Sequence, residues 1–287
     1  MSGPHWEVEG RGWPHAAHSR FVEAGGLRWH VQTLGEGPPL LLIHGTGAAT
    51  HSWRSLGPLL AERFTVIAPD LPGHGFTQGR LSGGQTLPGM ARAVGALLDT
   101  LAVAPCEIIG HSAGAAIAVR MTLDGLAVPA RIVGLNPALM PFPGLAGRLF
   151  PGLAKLLFNN AFTPQLFARR AKVPGEVGRF MYRNTGSRLD AEGVALYTRL
   201  LATPAHCAGA LSMMADWDLD ALRRDLPGLT TPLLLIHGEG DTAIPLRSVR
   251  DAAALLPNAR LVSLPRLGHL AHEENAAAVA AVMLGEG

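Results

Sequence analysis

Apolar positions along the chain fall into short runs separated by stretches with helical spacing, and this alternation indicates the architecture. Residues 20–24 and 27–33 read as strands joined at Gly25-Gly26, a short hairpin signal. Residues 40–43 form an apolar run ending at His44-Gly45, and a helix is expected over about residues 52–63. A buried strand at 64–68 ends at Pro69-Asp70, followed by the loop Leu71-Pro72-Gly73-His74-Gly75. The pattern then predicts a helix over 87–101, a strand at 106–109, a small-residue helix over 113–126 and a strand at 131–135.

From residue 138 to 222 the strand rhythm stops and Pro-punctuated, helix-like sequence takes over. It resumes with strands at 232–236 and 260–264 and helices over 246–256 and 271–284. Such alternation implies an α/β protein with a mainly parallel central sheet and helices on both faces. The expected organisation is an N-terminal extension (1–18), a core made of 19–137 and 223–287, and a helical cap insert (138–222). Ligands then belong at the carboxyl ends of the strands.

Composition narrows the function classes. The 287 residues are 48% hydrophobic and 16% charged, with a formal net charge of +2, which excludes a disordered chain and gives no reason to expect nucleic acid as a partner. Cys106 and Cys207 are too few for a disulfide framework. The first 19 residues lack the apolar stretch of a signal peptide, and residues 132–158 are broken by four prolines, so a cytoplasmic protein is expected, with peripheral membrane contact left open.

Candidate chemistry begins at Gly110-His111-Ser112-Ala113-Gly114, which follows a predicted strand and opens a helix, the setting of a nucleophile elbow. The plainer alternative is a helix-capping serine. A serine hydroxyl needs an imidazole to take its proton and a carboxylate to orient that imidazole. Asp241, just past a predicted strand, and His269, past the last one, supply them in the chain order this fold expects, with Glu239 as the runner-up acid. Backbone N–H groups of Thr46 and Ala113 are the candidate oxyanion donors. Candidate substrate contacts are His111, Phe142, Arg148, Phe150, Met213 and Trp217. His269 and His272 share an H-x-x-H spacing without companion ligands, so no metal and no other cofactor is expected.

Taken together, His44-Gly45-Thr46-Gly47, Asp70-Leu71-Pro72-Gly73-His74-Gly75, the Ser112 pentapeptide, Asp241 and Gly268-His269 resemble the α/β-hydrolase superfamily over nearly all the chain. At finer resolution, residues 20–32, Gly47-Ala48-Ala49-Thr50-His51-Ser52-Trp53, residues 213–219 and Leu267-Gly268-His269-Leu270-Ala271-His272-Glu273-Glu274 look like the magnesium-chelatase accessory subfamily. That resemblance implies a role in bacteriochlorophyll biosynthesis, with a tetrapyrrole as substrate or ligand and a magnesium-chelatase subunit as partner. Two functions follow: a serine hydrolase cleaving an ester or related acyl bond, or a non-catalytic accessory protein that keeps a hydrolase-like pocket. The insert bears on both. Between Ala138 and Arg188 there are eight basic residues and a single acid, Glu176, and six of the nine phenylalanines lie between Phe142 and Phe180. An apolar ligand carrying carboxylates suits that composition, and so does an anionic membrane surface.

Overall fold

A computed structural model describes residues 3–141 and 162–285. The edge hairpin of β1 (Ser19–Ala24) and β2 (Leu27–Leu34) closes at Gly25 and Gly26, whose φ angles of 58° and 77° are the left-handed pair a type I′ turn needs. Next come β3 (Pro39–Ile43), β4 (Thr65–Pro69), β5 (Glu107–His111), β6 (Arg131–Leu135), β7 (Leu233–Gly238) and β8 (Ala259–Leu264), which are parallel to one another. The sheet order is β1-β2-β4-β3-β5-β6-β7-β8. β3 to β7 are apolar runs because both sheet faces are covered.

Each face has its own core. Helices α3 (Leu87–Leu101), α4 (Ala113–Leu123) and α10 (Leu246–Leu255) pack on one side with Leu41, Ile43, Ile108 and Ile132. Helices α2 (Leu56–Ala61) and α12 (Ala276–Leu284) cover the other with Leu40, Leu42, Ile109 and Val133. Each such fully buried side chain contributes about 1.5–3 kcal/mol, so the alternation inside one strand ties both layers to the same sheet. After β3 the chain pairs β4 on one side and β5 on the other, which makes the carboxyl ends of β3 and β5 the topological switch point.

Several boundaries differ from the sequence expectation, three of them informatively. The helix expected over 52–63 is a 3₁₀ turn, Thr50–Trp53, followed by the short α2, because Pro58 is tolerated only in a first turn. The helix expected over 271–284 breaks at Asn275 into α11 (Ala271–Glu274) and α12, and the Asn275 side chain caps α12 by accepting from the Ala278 N–H at 3.0 Å. β5 runs past Ile109 to His111.

Around the N-terminus, the short helix α1 (Trp6–Glu9) brings Trp6 against Phe21, His30 and Phe76. Trp13 is buried and donates to Thr50 Oγ1 at 3.0 Å. Between β6 and β7 run α5 (Phe162–Ala171), α6 (Glu176–Thr185), α7 (Ala191–Leu201), α8 (Pro204–Asp216) and α9 (Leu219–Asp225). No helix among the described residues is long and apolar enough to cross a membrane.

Candidate active site

The switch point gathers the chemistry. Ser112 sits between β5 and α4 with φ 52° and ψ −114°, a strained conformation for a non-glycine residue. Its backbone is held from both sides: its N–H donates to Leu135 O at 2.9 Å, and its carbonyl accepts from Ala115 and Ala138, each at 3.1 Å. The Ser112 side chain makes no capping bond to α4, so the capping role weighed above is not one it performs. The turn is tight enough to dictate its neighbours. A Cβ on Gly114 would lie 2.0 Å from Ile43 O, and one on Gly110 would lie 2.4 Å from Ala115 N. Only glycine permits that approach of α4 to the β3 end.

Ala113 opens α4, so its N–H belongs to the first turn, whose donors have no partner inside the helix. Thr46 is a corner residue of the turn closed by Ala48 N–H to Gly45 O at 3.2 Å, in which Gly47 supplies the positive φ of 77°. The Thr46 hydroxyl donates to Met213 Sδ at 3.4 Å, placing the buried Met213 of α8 over the same loop. Trp217 is half-buried and donates from Nε1 to Gln85 O at 3.0 Å. Phe142, Arg148 and Phe150 lie outside the described residues.

Asp241 and His269 meet directly. His269 Nδ1 lies 2.7 Å from Asp241 Oδ2. An ionised carboxylate only accepts, so Nδ1 is the donor of this bond and Nε2 is not engaged by Asp241. Asp241 is built to stay ionised: Oδ1 accepts from the N–H groups of Ala243 (2.7 Å) and Ile244 (2.9 Å), and Oδ2 also accepts from Asn136 Nδ2 (2.8 Å). Burial by itself would raise its pKa, but the bond and charge of His269, the Ile244 N–H and the Asn136 amide hold it below the usual carboxylate value. Glu239, the alternative acid, is exposed.

His111 links the Ser112 segment to His269. Its Nε2 donates to His269 O at 2.9 Å, and its ring lies 4.8 Å from that of His269 and 4.6 Å from that of His272. His111 Nδ1 is buried without a hydrogen-bond partner among the described residues. Burial and the neighbouring His272 and His269 push its pKa well down, so the imidazole is neutral. His272 donates from Nε2 to Ser52 Oγ at 2.9 Å, and Ser52 in turn donates to Glu273 Oε1 at 2.6 Å.

Several positioning groups left no signal in the sequence. Asn136 is fully buried at φ 44° beside Asp241. The β6–β7 connection grips the His269 loop: His269 N–H donates to Thr185 O (2.8 Å), Leu270 N–H to Ser187 Oγ (2.8 Å), and Arg188 N–H to Glu274 Oε2 (3.1 Å). The buried Glu273 carboxylate accepts from Arg54 and from Tyr197 Oη (2.8 Å), and Arg54 also reaches Asp190 at 3.0 Å. These contacts have sequence separations of 76 and more across α7 and α11, which no local pattern encodes.

Residues 38–276 match the family model of the alpha/beta hydrolase fold. The chain belongs to this family. Among curated alpha/beta-hydrolase relatives, it is 42% identical over 274 residues to the magnesium-chelatase 30 kDa subunit of Rhodobacter capsulatus, with 95% of each chain covered. It is 32% identical to the pimeloyl-[acyl-carrier protein] methyl ester esterase of Aromatoleum aromaticum, covering 84% of this chain and 95% of that one. An alpha/beta hydrolase fold protein from Burkholderia ambifaria superposes with a TM-score of 0.73 at 26% identity, covering 93% of this chain and all of the other. In alpha/beta hydrolases a Ser, His and Asp set can run acyl transfer: the serine attacks, the imidazole relays its proton, and the acid holds the imidazole.

Proposed function

We propose that the chain is a serine-type alpha/beta hydrolase that cleaves an ester or related acyl bond, acting in the biosynthesis of a magnesium tetrapyrrole, the bacteriochlorophyll series. The observation that carries this reading is the 2.7 Å bond of His269 Nδ1 to Asp241, and it is supported by the strained strand-to-helix turn that holds Ser112. Ser112 Oγ attacks the acyl carbon, His269 Nε2 takes its proton and returns it to the leaving oxygen, and Asp241 stabilises the imidazolium. The N–H groups of Thr46 and Ala113 receive the oxyanion. Water then attacks the acyl-enzyme by the same relay, releasing the acid and restoring the serine. The tetrapyrrole assignment is supported by the 42% identical magnesium-chelatase subunit, and ester cleavage by the 32% identical methyl ester esterase. The substrate is then an apolar macrocycle ester bearing carboxylates.

A fluorophosphonate probe should label wild-type protein at Ser112 and fail to label Ser112→Ala of unchanged fold. Equal labelling of that variant would place the nucleophile elsewhere. With a cleavable tetrapyrrole ester, loss of the serine should lower turnover by roughly 10⁴-fold or more.

A second reading has a specific support, the 42% identity to a magnesium-chelatase subunit. In it the chain is a non-catalytic partner of a magnesium chelatase and binds the tetrapyrrole in a retained pocket. Full rescue of a deletion strain by Ser112→Ala would select this reading, and absence of rescue by a stably folded variant would select the enzyme.

A further inference from the structure

Helix α5 is turned inside out for a helix in water. It buries Pro164, Ala168 and Ala171, and it presents Leu166 and Phe167 to solvent. The adjoining segment and α6 continue the display with Val173, Phe180 and Tyr182, and these five large apolar side chains are 40–65% exposed. A soluble helix normally does the reverse, and contiguous exposed apolar surface of this kind marks a contact site. Beside the two helices lies an open cleft of about 280 Å³ whose lining includes Phe167, Phe180 and Leu201 together with Arg170, Arg179 and Arg183. That volume falls below the roughly 300–1,000 Å³ of a pocket for a whole drug-sized ligand, but it is narrow and apolar enough for a hydrocarbon chain.

The charge along this segment is predominantly positive. Residues 162–188 carry Arg169, Arg170, Lys172, Arg179, Arg183 and Arg188 against the single acid Glu176, a net +5. Glu176 is shared by Arg170 (2.8 Å) and Arg179 (2.6 Å). Arg169, Lys172 and Arg183 have no acidic partner among the described residues. A second copy of this face would bring five positive charges against five, which disfavours self-association. Bases interleaved with outward aromatic and aliphatic side chains suit a surface that is anionic outside and apolar beneath.

We propose that the outer face of α5 and α6 docks on an anionic lipid bilayer, with Leu166, Phe167 and Phe180 entering the acyl region and the arginines pairing with headgroup phosphates. The face lies one apolar layer from the candidate site: Ala171, Val177, Met181 and Tyr197 pack with Ala48 and Leu270, neighbours of Thr46 and His269 in sequence. If the hydrolase reading holds, docking delivers a membrane-dissolved ester to the loops that cleave it. The docking itself does not depend on that reading.

The test is co-sedimentation of the full chain with phosphatidylcholine vesicles containing about 30% phosphatidylglycerol, and with pure phosphatidylcholine, at roughly 50 and 500 mM salt. Binding should require phosphatidylglycerol and fall steeply at the higher salt. Arg169→Glu with Arg183→Glu should weaken it by about 25-fold or more, and Phe167→Ser with Phe180→Ser by about 10-fold or more, without loss of helical circular dichroism. No binding to the anionic vesicles at low salt would overturn the proposal, as would binding that either double variant leaves unchanged. A dimer in sedimentation velocity that the phenylalanine pair abolishes would assign the face to a second copy and overturn it equally. Fluorophosphonate labelling of Ser112 in lipid-free buffer should be the same in both surface variants, so failure of docking and failure of the hydrolase reading are separately visible.

Discussion

Lowering the pH from 7 to 5 should destabilise this protein by several kcal/mol, because its interior holds many neutral imidazoles. His44, His51, His74, His111, His206 and His272 are all buried, and burial is the largest cause holding each below the ordinary histidine pKa. His206 is lowered to about 4 and His272 to about 3. A depressed imidazole binds its proton only in the unfolded chain as pH falls below 6.5, so the unfolded state gains from acid and the native state does not. At pH 5 that difference is about 2 kcal/mol for each of these two, about 4 together, and the other four act in the same direction. The depressed carboxylates Asp70 and Asp241 do not oppose this, since their contribution persists until pH falls through their native pKa values. Glu273, raised by burial, works in the opposite sense as a single group. Against a whole stability of about 5–15 kcal/mol the histidine effect is large. Urea unfolding at pH 7.5, 6.5, 5.5 and 5.0 measures it, and His206→Gln should flatten the slope by up to one proton, about 1.4 kcal/mol per pH unit. A stability constant within 1 kcal/mol over that range, or an undiminished slope in the variant, would refute the reasoning.

Removing the Asn136 amide should raise the Asp241 pKa, so the acid limb of the pH profile for Ser112 labelling moves to higher pH in Asn136→Ala, and further in Asn136→Asp, where two carboxylates share one site. An unmoved limb would show that Asn136 does not tune the acid. Gly114→Ala puts a Cβ on the Ile43 carbonyl and should lower stability by about 1–3 kcal/mol in urea while slowing labelling; wild-type behaviour would contradict the close approach of α4 to β3. Labelling and any hydrolysis should survive exhaustive chelation, and restoration of a lost activity by one metal would contradict the metal-free mechanism.

The central sheet was legible because its strands are covered on both faces, so residues such as 40–43 and 132–135 appear as unbroken apolar runs. The Ser112 turn was legible for a local reason as well, since the glycines that let α4 approach β3 sit beside the serine in sequence. The break at Asn275 had a local signal, an asparagine preceding a helix, which the apolar run after it obscured. Asn136 and Ser187 had none. Each acts on a partner about a hundred residues away, the first at Asp241 and the second at Leu270, and a polar residue before a loop reads the same whether or not such a partner exists. The direction in which α5 faces was equally hidden, because small residues at Pro164, Ala168 and Ala171 carry little hydrophobic signal and are nevertheless the buried ones.

The grip of Thr185, Ser187 and Arg188 on the His269 loop sets a rule for recombining this protein with its relatives. Gly186 lies so near Gly240 that a Cβ would sit 2.0 Å from its carbonyl, and Gly268 meets Ser187 just as closely as a glycine allows. A helical segment transplanted from a relative between β6 and β7 would therefore import its own version of residues 185–190 against a foreign His269 loop. Functional chimeras should be those whose crossovers keep 185–190 and 267–274 from one parent, which makes two stretches far apart in the chain a single unit of exchange.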